Sequence, residues 1–140
     1  MKNTALLIDT NVVLDWMMDR EPFAQDSTKV LEICFDGKAK GYLVGHTILN
    51  AFYISRGCLN VDERKKILLH LCGNFIIIGI DKQTIIEALQ NPSWKDLEDG
   101  LQMHCATTAN VDYIITRDTK DFATSPIQAL TPEEFLKMHR

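Results

Sequence analysis

No apolar run in the 140-residue chain approaches the roughly 20 consecutive residues that a membrane-spanning helix requires. The amino terminus has no long apolar segment followed by a small-residue cleavage site, so we do not expect a secretory signal. The four cysteines are far apart and form no C-x-x-C pair, which argues against a zinc site or a disulfide framework. These absences predict a cytoplasmic protein with reduced thiols and no membrane partner.

The chain also lacks an excess of positive charge, since 15 lysines and arginines face 19 aspartates and glutamates, for a net charge of −4. Proteins that bind nucleic acid are usually basic, at least locally. Charge alone therefore neither supports nor excludes nucleic-acid binding. Metal ions or local cations could hold a phosphate backbone, although solvated helix faces are the simpler explanation of those cations. They are Arg56, Arg64, Lys65 and Lys66.

No Pro/Gly linker, low-complexity segment or internal repeat divides the chain, so we interpret residues 1–140 as one domain. Short apolar runs alternate with longer helical patterns. The runs predicted to be strands are 5–8, 42–44, 75–80, 113–116 and 127–130. Continuously apolar strands separated by helices predict a parallel sheet that is covered on both faces.

The predicted helices have recognisable ends. Asn60-Val61-Asp62-Glu63 has the pattern of a capping box. Thr131-Pro132-Glu133-Glu134 supplies an N-cap, a proline at the first helical position and an acid at the third. Asp81 can cap another helix. Helical spacing predicts further helices over 12–18, 26–35, 47–56 and 96–109.

Five aspartates lie where this topology would bring them together. Asp9 directly follows the first strand and Asp118 closely follows the fourth, so parallel strands would place both at the carboxyl edge of the sheet, where ligands bind. Asp96 and Asp99 lie three apart on one face at the start of a helix. Asp121 comes three residues after Asp118. We therefore expect five carboxylates to converge.

Each of these acids also has a purely structural explanation. Asp9 and Asn11 could cap a helix or shape a turn, Asp96 and Asp99 suit the positive end of a helix, and the last two aspartates could form a turn. A converging group is different, because clustered carboxylates repel one another unless cations neutralise them. Oxygen ligands of this kind suit Mg²⁺ or Mn²⁺ rather than zinc or copper.

Such a metal centre would have a defined chemistry. Carboxylate-bound divalent cations can bind a phosphodiester, lower the pKa of a bound water and stabilise charge on the leaving oxygen. Thr116 could hydrogen-bond a carboxylate or phosphate, and Arg117 could contact a backbone phosphate. An ordinary strand-end threonine and a surface arginine remain open alternatives.

Three motifs, in this order, resemble the PIN-domain family, and most closely its VapC-like toxin ribonucleases of bacteria and archaea. They are Leu7-Ile8-Asp9-Thr10-Asn11, Asp96-Leu97-Glu98-Asp99-Gly100-Leu101-Gln102 and Ile115-Thr116-Arg117-Asp118-Thr119-Lys120-Asp121-Phe122, and the closing Leu130-Thr131-Pro132-Glu133-Glu134-Phe135-Leu136 is similar too. The resemblance implies a three-layer α/β/α sandwich with a mostly parallel sheet of four or five strands. It also implies Mg²⁺- or Mn²⁺-dependent endonucleolytic cleavage of RNA, a homodimer and an antitoxin partner.

The resemblance also implies roles for individual residues. The catalytic acids of the family match Asp9, Asp99 and Asp118, which would also bind metal. Asp96 and Asp121 resemble accessory metal-binding acids. Arg117 is our candidate for contact with substrate on its chemistry alone, apart from the resemblance.

One position departs from the family pattern. Many VapC-like members carry a glutamate in the helix after the second strand, where this chain has Asn50. An amide oxygen can ligate Mg²⁺ or hold a metal-bound water, but it adds no charge. We assign Asn50, Thr116 and Asn11 supporting roles, with a buried amide of no catalytic role as the alternative for Asn50. The alternative function is a catalytically weak or inert PIN-like module that binds RNA or protein.

Other phosphoryl-transfer folds also place an aspartate after the first strand of a parallel sheet. A haloacid-dehalogenase-type phosphatase requires a second aspartate two residues later, where this chain has Asn11. A receiver domain requires an acidic pair before the acceptor and a lysine after a late strand, and neither pattern is evident. The sequence therefore favours the nuclease interpretation.

Overall fold

The computed structural model describes residues 3–139, and its central feature is a sheet of five parallel strands. The strands are β1 (Thr4–Ile8), β2 (Ala39–Val44), β3 (Ile76–Ile78), β4 (Tyr113–Ile115) and β5 (Ala129–Leu130). Their order across the sheet is β3-β2-β1-β4-β5, and every neighbouring pair is parallel. The predicted parallel sheet is confirmed, and the first strand lies at its centre.

Within residues 3–139 there are seven α-helices and two short 3₁₀ turns; six of the helices lie between strands, and the seventh follows β5. The helices are α1 (Thr10–Met17), α2 (Ala24–Phe35), α3 (Gly45–Ile54), α4 (Val61–Asn74), α5 (Lys82–Gln90), α6 (Leu97–Ala109) and α7 (Pro132–Met138). The 3₁₀ turns are Ser55–Gly57 and Thr119–Phe122. The helices begin and end within a few residues of the predicted bounds.

Alternate residues of β1 face two separate cores, as the pleat of a strand requires. Leu6 and Ile8 pack with buried residues of α1, α2, α4 and α7. Leu7 packs instead with Met103 and Ala106 of α6. Because both faces of the sheet are covered by helices, the expected three-layer α/β/α arrangement is confirmed.

The third strand differs from its prediction. The run 75–80 was expected to form a fully buried strand, but only Ile76–Ile78 is strand, and the side chain of Ile76 is 43% exposed. The reason is topological: β3 pairs only with β2 and forms the edge of the sheet, so one side of it stays open. Apolar composition predicts a strand but not its place in the sheet.

Helix caps match their sequence signals. Asn60 and Glu63 form the reciprocal hydrogen bonds of a capping box before α4, and Thr131 and Glu134 do the same before α7. The four cysteines are free thiols, two buried and two exposed. In the portion of the chain that is described, no helix is long and apolar enough to cross a membrane.

Candidate active site

Asp9 is held at the carboxyl end of β1 by three elements at once. Its Oδ1 accepts hydrogen bonds from the backbone N–H of Thr10 (2.8 Å) and from Nε2 of Gln102 in α6 (2.9 Å). Its Oδ2 accepts one from the hydroxyl of Thr116, the residue after β4 (2.9 Å). The side chain is 7% exposed. Asp9 does cap α1, as its structural explanation requires, but the bonds from Gln102 and Thr116 fix the carboxylate far beyond what a cap needs.

Thr116 connects Asp9 to Asp118. Its hydroxyl donates to Asp9 Oδ2 and accepts from the backbone N–H of Asp118 (3.1 Å). Thr116 is fully buried, whereas Asp118 is exposed at the start of the second 3₁₀ turn. One buried hydroxyl thereby sets the position of both segments that carry these acids.

The acids at the start of α6 lie beside Asp9. Asp96 is the N-cap, and its Oδ1 accepts from the backbone N–H of Asp99 (2.9 Å). The pKa of Asp99 is raised to about 7, first by burial and then by the negative charges of Asp96, Asp9, Asp121 and Glu98. Five carboxylates therefore act on one another at this edge of the sheet.

Asp121 extends the same group. Its pKa is raised by desolvation, and in addition by the charges of Asp118 and Asp96. The structure thus brings together the five aspartates whose convergence the sequence predicted, with Asp9 at the buried end and Asp118 and Asp121 at the exposed end. Asp99 lies between them.

A sixth carboxylate, Glu98, was missed by the sequence analysis. His46 Nε2 in α3 lies 3.3 Å from Glu98 Oε1. The pKa of Glu98 is lowered mainly by its hydrogen bond with His46, against an opposing effect of burial, and further by Thr10 and Asn50. Asn50 stands where many VapC-like proteins have a glutamate in the helix after the second strand. In this chain an acid does lie beside that position, but it is Glu98 of α6 rather than a residue of α3.

A spacing signal for Glu98 was present. Glu98 and Gln102 lie four apart in α6 and so share a helix face, and Gln102 bonds Asp9 directly. An acid in the first turn of a helix is also what the helix dipole favours, so the sequence pattern alone does not single out Glu98.

Arg117, the residue before Asp118, is paired with a buried acid of α1. Its Nε is 2.9 Å from Oδ2 of the fully buried Asp15, and its guanidinium lies 4.2 Å from the Phe23 ring centre. Arg20 Nε donates to the other oxygen of Asp15 at 2.9 Å. Two arginines therefore share one carboxylate, and Asp26 and Glu133 line the same cleft as Arg117.

Asn11 lies outside the acidic cluster. Its side chain is exposed on α1, and its backbone carbonyl accepts from Arg20 Nη2 at 3.4 Å. Asn50 is half-buried in α3 and reaches the cluster only through Glu98.

Two cations that could have held a phosphate backbone are used in packing. Arg64 is buried, donates to the Phe52 carbonyl at 2.8 Å and lies over the Phe52 ring. Arg56 lies 3.9 Å above the Tyr53 ring and donates to its carbonyl. Lys65 and Lys66 are exposed on α4.

The donor set fits a hard divalent cation. Among residues 3–139, no three His, Cys, Asp or Glu side chains are already arranged as a metal-binding group. The available donors are nevertheless carboxylate and amide oxygens, which Mg²⁺ and Mn²⁺ prefer. Burial, and then the charges of four neighbouring acids, raise the pKa of Asp99, and a bound cation would relieve both effects. Gln102 Oε1 is buried near Asp9 without a hydrogen-bond partner in the described chain, which adds another oxygen. The residues therefore fit such a cation, whose binding would draw the carboxylates closer.

A family model described as "PIN domain" matches residues 5–120. A toxin–antitoxin complex from Klebsiella pneumoniae contains a chain 25% identical to this one, with a TM-score of 0.67, over 91% of this chain and 97% of that one. FitAcB from Neisseria gonorrhoeae is 19% identical, with a TM-score of 0.66, over 91% and 98%.

A third similar structure has lower identity and a closer backbone. VapC20 of Mycobacterium tuberculosis, a toxin that cleaves the sarcin-ricin loop, is 9% identical with a TM-score of 0.71, over 91% of this chain and 99% of that one. No curated protein matches the chain. These structures support the fold, and the family model covers most of the sequence.

Proposed function

Because the chain belongs to the PIN-domain family, we propose that it is a metal-dependent endoribonuclease that hydrolyses RNA phosphodiester bonds. We further propose that it is the toxin of a toxin–antitoxin pair. Nuclease activity is general in this family. The observation that carries the proposal is the fixed carboxylate of Asp9 beside Asp99, whose pKa burial and then four other carboxylates raise to about 7. This arrangement is costly unless a cation is bound, and that cation is useful for phosphodiester chemistry.

In this proposal the chain's own residues divide the work. Asp9, Asp99 and Asp118 are the catalytic and metal-binding acids, and Asp96 and Asp121 assist in binding Mg²⁺ or Mn²⁺. When bound, the cation lowers the pKa of a water and neutralises charge on the phosphodiester.

The remaining side chains position the acids and the substrate. Thr116 and Gln102 keep Asp9 in place through their hydrogen bonds. Asn50 orients Glu98, and Asn11 supports the start of α1. Arg117 contacts a backbone phosphate, because Asp15 is shared with Arg20 and cannot neutralise both guanidinium groups.

We expect an antitoxin and a second copy of the chain as protein partners. The antitoxin is supported by the similar toxin–antitoxin complex from Klebsiella pneumoniae. A second copy is supported by an apolar cleft of about 650 Å³ beside the site, between α3, α5 and α6. Leu49 is 72% exposed there, and Ile85 and Leu97 are about two-fifths exposed. A dimer should dissociate in Leu49→Glu, which sedimentation velocity would detect; an unchanged sedimentation coefficient would exclude this face.

The proposed setting is the cytoplasm, with residues 1–140 acting as one domain. The first experiment is incubation of purified protein with labelled RNA in Mg²⁺, Mn²⁺ or EDTA, beside Asp99→Asn. We expect cleavage that requires metal and disappears in the variant, with circular dichroism showing that both proteins are folded. Cleavage that persists in EDTA would contradict the proposed chemistry.

One observation favours a second candidate, a weak or inert module that binds RNA or a protein partner. Asn50 carries no charge, and within residues 3–139 no group of three ligands is ready for a metal. Substitution of Asp9 separates the two candidates. A nuclease should lose cleavage in Asp9→Asn while keeping its fold, whereas a binding module should retain its affinity for RNA or partner.

A further inference from the structure

Two clefts meet at the indole of Trp94. The first, of about 280 Å³, is the acidic cleft, and its lining includes Asp96, Asp99 and Asp121. The second, of about 340 Å³, includes Asn91, His104 and Thr107 in its lining. Both are lined in part by the same residues: Ser93, Trp94, Met103 and Thr124. A molecule bound at the acids can therefore extend directly into the second cleft.

The Trp94 ring is fixed by close packing on α6. A Cβ added at Gly100 would lie 2.6 Å from two carbon atoms of the indole, so only glycine permits this approach. The ring also meets His104 edge to face, with centroids 6.2 Å apart. Gly100 directly follows Asp99, so the indole is anchored one residue from the acidic cluster. A half-buried aromatic surface is thus held rigidly beside the proposed reaction centre.

The chemistry of the lining changes across Trp94. The acidic cleft contains three aspartates together with Lys95 and Lys120. The described residues that line the second cleft include no Asp, Glu, Lys or Arg. They include polar uncharged groups, namely Asn91, Ser93 and Thr107. Among these, Asn91 Oδ1 accepts from the Ser93 backbone N–H (2.9 Å), which leaves the Asn91 amide nitrogen and the Ser93 hydroxyl without partners in the chain from 3 to 139.

This lining matches a nucleobase better than a phosphate. An unpaired base offers a flat π-face for stacking on an aromatic ring and an edge of donors and acceptors for amide and hydroxyl groups. A phosphate would instead require cations, and the second cleft offers no Lys or Arg among its described residues. The two clefts therefore suit adjacent parts of one nucleotide chain, with phosphate at the metal-binding acids and base beyond Trp94.

We propose that the second cleft is a subsite for one unpaired base of the RNA substrate, which stacks on Trp94 and hydrogen-bonds with Asn91 or Ser93. This inference rests on the nuclease function proposed above. It assigns Trp94 to substrate binding, and it makes the cleft a determinant of which unpaired nucleotide lies next to the cleaved bond.

Fluorescence tests the subsite without measuring cleavage. Trp16 is the other tryptophan of the chain and packs against Phe35 in the core. In a Trp16→Phe protein with Mg²⁺, observed by stopped flow before the strand is cut, emission therefore reports Trp94 alone. We expect a single-stranded pentaribonucleotide to quench this emission as it saturates, since a base stacks on the indole. An oligonucleotide of equal length and charge with abasic positions should quench little and bind roughly 5- to 150-fold more weakly, the effect of losing one stacked base.

Two oppositely charged substitutions at one position test the same cleft without disturbing Trp94. Thr107 is exposed on α6 and lines the second cleft, whereas its neighbour Thr108 is exposed and lies outside it. In the otherwise wild-type enzyme, Thr107→Glu should raise KM for the pentanucleotide by a larger factor than it lowers kcat, because a carboxylate would face the incoming strand. Thr107→Lys should lower KM, and Thr108→Glu should match wild type. Trp94→Leu should alter the preference among U, C, A and G oligonucleotides.

The outcomes separate this inference from the proposed function. If labelled RNA binds and is cut while Trp94 emission stays constant and Thr107→Glu behaves as Thr108→Glu does, the base subsite is wrong and the nuclease stands. If Trp94 is quenched but no metal or RNA yields cleavage, the subsite stands and catalysis fails. If no oligoribonucleotide binds and a protein segment alone quenches Trp94, both RNA proposals are overturned.

Discussion

Asp9 and Asp99 are carboxylates of the same cluster, yet their surroundings are opposite. Asp9 accepts three hydrogen bonds, from the backbone of Thr10 and the side chains of Gln102 and Thr116. The carboxylate of Asp99 has no hydrogen bond within residues 3–139 and is surrounded by like charges. The half of the site around Asp9, the fixed half, is thus held by the fold. The half around Asp99, the open half, is restrained chiefly by helix α6. Both carboxylates are proposed to bind metal, so the difference teaches that the fold positions one of them and leaves the other among charges that nothing in the described chain neutralises.

The largest expected effect is on cleavage, and it falls on the open half of the site. Loss of a residue that merely orients a metal ligand typically costs roughly 10- to 100-fold in activity. Asp99→Asn should cost more than that, because it removes a proposed ligand, while the protein keeps its fold. Single-turnover cleavage of labelled RNA in Mn²⁺ measures the loss. Exposed Asp62→Asn at the start of α4, away from the cluster, is the matched control and should cut at the wild-type rate. A fully active Asp99→Asn would remove the open half from the mechanism.

The next effect is the stabilisation that a metal gives by binding the folded chain. Free Mn²⁺ at about 100 times its dissociation constant should add about 2.7 kcal/mol to the free energy of unfolding. Differential scanning fluorimetry with and without EDTA measures the shift in melting temperature. The shift should nearly vanish in Asp99→Asn and should persist in Asp62→Asn. An equal shift in both variants would mean that the metal binds elsewhere.

In the fixed half of the site, we expect a substitution to lower the stability of the protein even without metal. Thr116→Val removes the hydroxyl that donates to Asp9 and leaves a buried carboxylate oxygen unpaired, at a cost of about 1–3 kcal/mol in the free energy of unfolding. Thr116→Ser keeps a hydroxyl and should recover most of that loss. Urea denaturation of both variants without metal measures the difference. If valine and serine are equally stable, the hydrogen bond does not hold the fixed half.

The sequence predicted this division only in part. Asp9 and Asp118 were found because parallel strands bring their carboxyl ends to one edge, a rule that depends on topology alone. The parallel order itself followed from apolar runs separated by helices, and the structure confirms it. Thr116 was suspected because it follows β4. The catalytic and metal-binding roles of these residues stay predictions.

What the sequence could not supply is the packing of one helix against another. Glu98 meets His46 and Asn50 only because α6 lies next to α3 beyond the sheet edge. The bond from Gln102 to Asp9 likewise joins residues 93 apart in the chain. On α6 alone, Glu98 and Asp99 are both ordinary acids of a first helical turn. The sequence pattern therefore predicts neither the residues that contact Glu98 nor the like charges that surround Asp99.

The smallest effect is the pH dependence that the open half should give to stability. The folded pKa of Asp99 is about 7 against 3.8 for an unperturbed aspartate, so the native chain keeps a proton that the unfolded chain has released. Metal-free stability should therefore fall as pH rises from about 4 to 7, and the full cost of the charged form should remain above that range. Partial exposure limits the change to about 1 kcal/mol.

Asp99→Asn is the sharpest test of this effect, because asparagine has the same shape and no charge. Urea denaturation in EDTA at pH 5 and pH 8 should show that the variant loses less stability than wild type over this interval. Asp9 and Asp121 also have raised pKa values and leave a residual slope of the same sign. Asp81 and Glu98 have lowered pKa values, so their contributions change mainly at more acidic pH. If wild type and Asp99→Asn give parallel pH profiles, the charges around Asp99 are already balanced, and the contrast with Asp9 fails.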